Sequence, residues 1–327
     1  MELRVIGPDG VREAPLAELP ELLRQAEGVV WLDVPGWDDE TARLLTACIG
    51  LHPMAGADCA QRNHVPKVHA YAGHALLVLH SPEPEPTGHV HYVELDQLVA
   101  EHYVVTVHGP LSPDVPIERA LHETRAVQRR LEEGRLRPQT GWDLSHALVS
   151  TVVRTHERQV GRLAELVGRL EQRLMAGTVT RPEDFLEELF RARHELLVTR
   201  TMATQSQEVF ARLIRVVGKS HPAAVSLLED QLDQYQRVHG LADGQLDFLS
   251  EVIDSHRART DTKMMVAAER LAVIAAVTLP VTAVSSVLGM NVIVNSHTRP
   301  VSLIVLLVLM TVMSLWLLRW AKRQGWW

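Results

Sequence analysis

The sequence predicts an α+β cytoplasmic domain, α/β in its N-terminal part and then built of long helices, followed by a C-terminal two-helix transmembrane hairpin. Three observations predict it. Short β-rich apolar runs broken by Gly and Pro fill residues 1–110; apolar residues at helical spacing dominate from Leu144 onward; and two uncharged spans, Leu271 to Ser296 and Pro300 to Leu318, close the chain. Each span is long enough to cross a bilayer core of roughly 30 Å at about 20 residues per helix. The expected divisions are an α/β domain over 1–110 and a helical and stalk domain over 111–262. The stalk end and first span then occupy 263–291, an external loop 292–299, the second span 300–320 and a basic cytoplasmic tail 321–327.

Taken in order, Gly28 to Val34 is an apolar β-rich run stopped by Pro35-Gly36, and Asp38 is placed to cap a helix through Thr41, Leu44, Leu45 and Ala47. Lys67 to Tyr71 and Ala75 to His80 form a strand pair around Gly73. The stretch Ser81-Pro82-Glu83-Pro84-Glu85-Pro86 is expected to be a turn or loop, because proline lacks the N–H that a ladder uses. Val90 to Val99 and His102 to Val107 alternate as a further hairpin. Leu144 to Met175, Pro182 to Val217 and Pro222 to Arg259 are helices, stopped at Gly177-Thr178 and Gly218-Lys219. The third runs on into the first span, weakened locally by Gly240 and Gly244 and interrupted by no proline before Pro280. A helix of that length cannot pack inside one globule and needs partner helices.

Charge is divided along the chain. The net charge is −7, yet Glu269 is the last acidic residue, and only Arg270, Arg299, Arg319, Lys322 and Arg323 follow it. An acidic first part argues against nucleic-acid binding and suits divalent cations. Basic residues flank the spans at Arg257, Arg259, Lys263 and Arg270 and again at Arg319, Lys322 and Arg323, so both ends are expected to face the cytoplasm of a plasma (inner) membrane. Trp316, Trp320, Trp326 and Trp327 suit an aromatic belt at the inner interface. No apolar segment follows Met1, which predicts no cleaved signal peptide, and Cys48 and Cys59 offer no disulfide framework.

The chemistry concentrates at the end of the first span. Gly289-Met290-Asn291 puts a carboxamide beside a flexible Gly where a membrane helix meets water, a place to hold a hydrated cation. Below it, Ala268, Ala275, Thr282 and Gly289 recur every seventh residue, with Leu271 and Leu279 on nearly the same face. Small residues in such a row let helices crowd around an axis. Ordinary helix packing in a membrane would leave the same Ala pattern, and Asn291 beside Gly would also suit a helix C-cap.

With Leu279-Pro280-Val281-Thr282 before Gly289-Met290-Asn291, then a second span and a basic tail, the chain resembles the CorA family of divalent-cation (magnesium and cobalt) transport proteins. Gly50-Leu51-His52-Pro53, Asp58 and Pro66-Lys67-Val68 are similar to the family's N-terminal landmarks, in the same order. The resemblance implies a funnel-shaped homopentamer whose first span lines a central pore. Gly289, Met290 and Asn291 would form the selectivity filter, and Met265, Ala268, Leu271, Ala275, Leu279 and Thr282 the pore lining and gate. Leu271 and Leu279 would be apolar collars that close by dewetting. Because Mg²⁺ gives up its waters reluctantly, a ring of neutral amides would contact the hydrated ion whole. The resemblance also implies a regulatory cytoplasmic metal between subunits, here at Asp58 and Asp230 with Asp233 one turn on; ordinary surface charges would look the same. Mg²⁺ is the expected transported and regulatory ion, with Co²⁺ or Ni²⁺ as further cargo.

Several residues depart from the family pattern. The loop Val292 to Arg299 has no acid, Met265 replaces a common Asn, and Leu288 and Val292 flank the tripeptide in place of aromatics. Zn²⁺ transport of the ZntB type is the alternative substrate reading. His64, His69 and His74 are spaced five apart and His89 and His91 share a strand face, but without compact Cys/His spacing they are expected to be scattered surface or core groups. No Ser/His/Asp grouping, phosphate-cradling Gly loop or metal-ligand cluster suggests an enzyme. A membrane-anchored ligand-sensing domain is the other class to weigh.

Overall fold

The computed structural model describes residues 1–25, 28–85, 87–110, 113–289 and 300–323. The chain divides into two compact units, Met1–Val252 and Ile253–Trp327.

The first unit begins with a hairpin, β1 (Glu2–Gly7) and β2 (Gly10–Ala14), then α1 (Leu19–Gln25) and β3 (Val29–Val34). Next come α2 (Asp39–Ile49) and α3 (Pro53–Ala60), and then a meander of β4 (Lys67–Ala70), β5 (Ala75–Pro84), β6 (Val90–Val99) and β7 (Tyr103–Val107). Asp38 caps α2 through the Thr41 amide at 2.7 Å. Gly50 ends the same helix at φ 61°, a left-handed conformation that glycine adopts without a Cβ penalty. The strands form one seven-stranded sheet in the order β2-β1-β3-β7-β6-β5-β4. Only β3 and β7 run parallel; every other neighbouring pair is antiparallel.

Alternation along each strand sorts side chains onto two buried faces. Val30, Leu32 and Val34 of β3 join Leu76, Val78 and Leu98 against Leu19, Leu22, Leu45, Ala55 and Cys59. Val29 and Trp31 point the other way, with Leu77, Leu79 and Val104, and meet the helical layer. Because both faces are covered, the strands read as nearly continuous apolar runs.

That helical layer contains α4 (Ile117–Ala120), α5 (His122–Glu132), α6 (Gly141–Met175), α7 (Pro182–Val217) and the first part of α8 (Val225–Gly289). A reciprocal capping box, Thr140 with Asp143, starts α6. Leu144, Leu148, Phe210 and Tyr235 carry these helices onto the sheet.

One expected element is corrected. Ser81-Pro82-Glu83-Pro84 is not a turn but the end of β5, pairing from Ser81↔Val93 to Pro84↔Val90. The strand tolerates both prolines for a topological reason. β4 pairs with β5 only from Ala75 to Val78, so beyond Val78 one side of β5 is an open edge. Pro82 and Pro84 alternate in step, and the N–H groups they lack fall on that edge, where no ladder bond is lost.

In the second unit α8 continues unbroken to Gly289 with Pro280 inside it, and α9 spans Pro300–Arg323. Ser285 Oγ on α8 contacts Met310 Sδ on α9 at 3.6 Å. Among the described residues one helix, α8, is long and apolar enough to cross a membrane.

Candidate cation sites

The expected pore residues all lie on the second half of α8. Met265, Leu271 and Leu279 are 71, 66 and 67% exposed in the single chain, Ala268 and Thr282 are exposed as well, and Ala275 is half-buried. Large apolar side chains left open on a helix call for a covering phase or partner, whether lipid or another helix. Around Pro280, which cannot donate an amide hydrogen, two threonines bond inward: Thr278 Oγ1 donates to the Ile274 carbonyl and Thr282 Oγ1 to the Thr278 carbonyl, both at 2.8 Å. Each hydroxyl therefore spends its proton inside the helix, and its oxygen keeps only acceptor capacity toward the outside. Gly289 is the last residue of α8; Met290, Asn291 and the loop 292–299 lie outside the described residues.

The three acids expected to bind a regulatory metal sit on separate elements. Asp58 is on α3 and accepts from Lys67 Nζ at 2.6 Å. Asp230, on α8, accepts from His146 Nε2 of α6 at 2.7 Å and from Gln234 Nε2 at 2.6 Å. The hydrogen bond from His146 holds the Asp230 carboxyl below the ordinary carboxylate range. Asp233 is exposed one turn along. Within one chain, among the described residues, no hydrogen bond or ion pair joins Asp58 to Asp230, and no three His, Cys, Asp or Glu side chains are grouped to hold a metal ion. Lys67 and His146, which sequence reasoning passed over, act as tethered partners to the two acids. Lys67 stood within a noted landmark, but its pairing depends on how β4 meets α3.

The histidines divide by burial. His80 and His156 are enclosed, and burial pushes each down to about 4, so both are neutral at physiological pH. His80 Nε2 bonds the Asn63 carbonyl at 2.8 Å and His156 Nε2 the His80 carbonyl at 2.9 Å. His52 stacks on Tyr71, and His89 meets His91 edge to face.

Beside His80, Glu94 and Asp96 of β6 are both buried. Glu94 accepts from the Asn63 backbone amide at 2.7 Å and from its side-chain amide. Neither Asp96 carboxylate oxygen has a hydrogen-bond partner among the described residues. Burial, and then the neighbouring Glu94 charge, raises Asp96 well above its ordinary value. Both causes favour its neutral form.

A mixed sheet, a layer of long helices and one helix with an uncharged, membrane-length final stretch among the described residues are the frame of a membrane protein. Residues 26–323 match the family described as CorA-like Mg2+ transporter protein, and the chain belongs to that family. It is 23% identical over 303 residues to the candidate metal ion transporter YfjQ of Bacillus subtilis (strain 168), covering 90% of this chain and 89% of that one. Its fold is similar to the complete CorA magnesium transporter of Methanocaldococcus jannaschii, with TM-score 0.80 and 14% identity over 100% of this chain and 98% of that one. It is also similar to the ZntB cytoplasmic domain of Vibrio parahaemolyticus RIMD 2210633, with TM-score 0.60 and 10% identity over 80% of this chain and 98% of that one. The family carries divalent metal cations across membranes and is one of transporters, not enzymes.

Proposed function

We propose that five copies of the chain surround a path for Mg²⁺ uptake, with Co²⁺ and Ni²⁺ as further cargo. The second half of each α8 lines this path, and the Asn291 amides stand at its outer mouth. One observation carries the reading. The stripe Ala268, Leu271, Ala275, Leu279 and Thr282 lies on a helix without charge from Leu271 to its end, and all but Ala275 are exposed in the single chain. Small residues in that stripe allow close approach around an axis. Leu271 and Leu279 then narrow the path, and the Thr282 oxygen, an acceptor by virtue of its inward bond, faces the waters of the passing ion. Neutral oxygen dipoles hold hydrated Mg²⁺ without stripping it, which suits both entry and release.

Regulation follows from the acids. Cytoplasmic metal bridging Asp58 of one subunit to Asp230 and Asp233 of the next stabilises a closed state, to the extent that it binds that state better than the open one. A second reading, Zn²⁺ transport, is favoured by the loop 292–299, which has no carboxylate to gather hard cations.

The test is ion flux into liposomes, read by an internal divalent-sensitive dye, with Mg²⁺, Zn²⁺, Co²⁺ and Ni²⁺ in competition. Asn291→Ala is expected to cut flux at least tenfold, and Mg²⁺ to compete best. Equal flux in the variant removes the filter and leaves α8 and α9 as a membrane anchor for a sensing domain. Preference for Zn²⁺ transfers the pore to the second reading.

A further inference from the structure

α5 and α6 pack side by side in the first unit, and the concavity between them is lined by arginine. Arg129 and Arg130 of α5, Arg135 just beyond it, and Arg154 and Arg158 of α6 surround an open cavity of about 760 Å³, with His122 and Thr151 as further polar lining and the small Ala126 beside them. Among the described residues Glu157 is the one carboxylate on its wall.

The spacing is what assembles it. His122, Ala126, Arg129 and Arg130 fall on one face of α5, and Thr151, Arg154 and Arg158 on one face of α6, by the three- and four-residue repeat of a helix. The arrangement places like charges at i and i+4 on both helices, Arg125 with Arg129 and Arg154 with Arg158, a pairing that works against helix stability.

Glu157 offsets it in part, and the other neighbouring acids are engaged elsewhere. Glu123 is buried and accepts from Thr155, Glu132 accepts from Gln128, and Glu133 pairs with Arg135. Among the described residues no carboxylate is in ion-pair contact with Arg129, Arg130, Arg154 or Arg158. Arg154 Nη2 donates to Thr151 Oγ1 at 2.8 Å, and Arg158 Nη2 donates to His122 Nε2 at 3.2 Å. Burial, then the adjacent Arg130 charge, push the Arg154 guanidinium down; Glu157 opposes this in part, and Arg158 adds to the push. Such a concentration of guanidinium forks stands out in a chain whose net charge is −7.

The geometry points to a binding site here for small phosphate-bearing anions of the polyphosphate class, such as a nucleoside triphosphate, held between α5 and α6 by Arg130, Arg154 and Arg158. Guanidinium matches phosphate oxygens two at a time, and several forks around one concavity suit an anion with several phosphate oxygens. The cavity also has the volume of a small-molecule site. The proposal is independent of the ion path. Its direct consequence is that a solute which itself chelates divalent cations binds the same chain that carries them.

The experiment uses the full chain in lipid nanodiscs and measures equilibrium binding of ATP, inorganic tripolyphosphate and a short-chain phosphoinositide in separate arms. Binding of at least one probe is expected, weakening as salt is raised, and at least tenfold weaker in Arg130→Gln/Arg154→Gln. Arg193→Gln, which removes charge from the exposed surface of α7, should leave it unchanged. Circular dichroism and thermal unfolding of the double variant establish that it is folded. Preference among the arms separates a free polyphosphate from a lipid headgroup as the source. The proposal is overturned if no probe binds at millimolar concentration, or if the double variant binds as tightly as the parent. It is equally overturned if the double variant's only change is in oligomeric mass, which makes the cluster a contact between copies of the chain.

Discussion

Asp96 is an acid placed where an acid is costly, and its pH behaviour follows from that placement. Burial and the neighbouring Glu94 raise its folded pKa above the ordinary 3.8, so its favourable contribution is complete below that value and is lost as pH rises toward the folded pKa. Asp96→Asn keeps the shape and removes the ionisation. Thermal unfolding should show the variant gaining on the parent as pH rises above the ordinary 3.8. A difference that stays flat with pH would contradict the assignment. Asp58 and Asp230 lend themselves to a different measurement. Each is already held by a partner from another element, Lys67 and His146, so metal must displace those partners to bridge subunits. Asp58→Ala/Asp230→Ala should raise the internal Mg²⁺ needed for half-inhibition of flux severalfold, and unchanged inhibition would remove the site. The acids could be found in sequence by their position after the His-Pro landmark and early on the third long helix. Their partners could not, because Lys67 and His146 meet them only once β4 and α6 are packed.

Elements differ in how much of their structure is local. The Asp38 cap and the Thr140–Asp143 box act within four residues, and α2 was visible in sequence for that reason. The prolines of β5 obey a wider rule. Their tolerance depends on β4 beginning only at Lys67, opposite Val78, a fact about a different strand, so a local reading made them a turn. The arginine cavity was hidden for a like reason, since α5 and α6 each show an ordinary mixed sequence and the charges meet only across the helix pair. Gly141 gives the sharpest element-scale prediction. Its N–H donates to the Glu101 carbonyl at 2.7 Å, and a Cβ there would strike the backbone carbonyls of Ala100 and Tyr103. Because those atoms belong to the β6–β7 turn, relief requires moving α6 off the sheet. Gly141→Ala should destabilise by about 1–3 kcal/mol, as overpacked sites do, read as a lower unfolding midpoint in denaturant. A midpoint equal to the parent's would show that the turn yields freely.

For the molecule as a whole, membrane voltage becomes a driving force. Acidic residues stop at Glu269, and from Leu271 to its end α8 carries no charge to bind an ion in transit. If the proposed path is a passive one, entry of a divalent cation gains about 4.6 kcal/mol per 100 mV inside-negative, twice the value of about 2.3 for a single charge. Liposomes clamped by a potassium gradient should therefore take up cation faster as the interior is made more negative, and indifference to voltage would indicate an electroneutral exchange.

The lone parallel pairing of β3 with β7 has a consequence for biosynthesis. β1, β2 and β3 can associate as soon as they are made, and so can β4 through β7, but each group leaves an open edge until Val30–Val34 meets Tyr103–Val107. Joining them waits on a stretch of chain containing α2, α3 and three strands, the sort of distant closure that slows folding. Translation nevertheless reaches Val107 well before it reaches Leu271. A ribosome making this chain therefore has time to complete the sheet before the first membrane-length segment emerges.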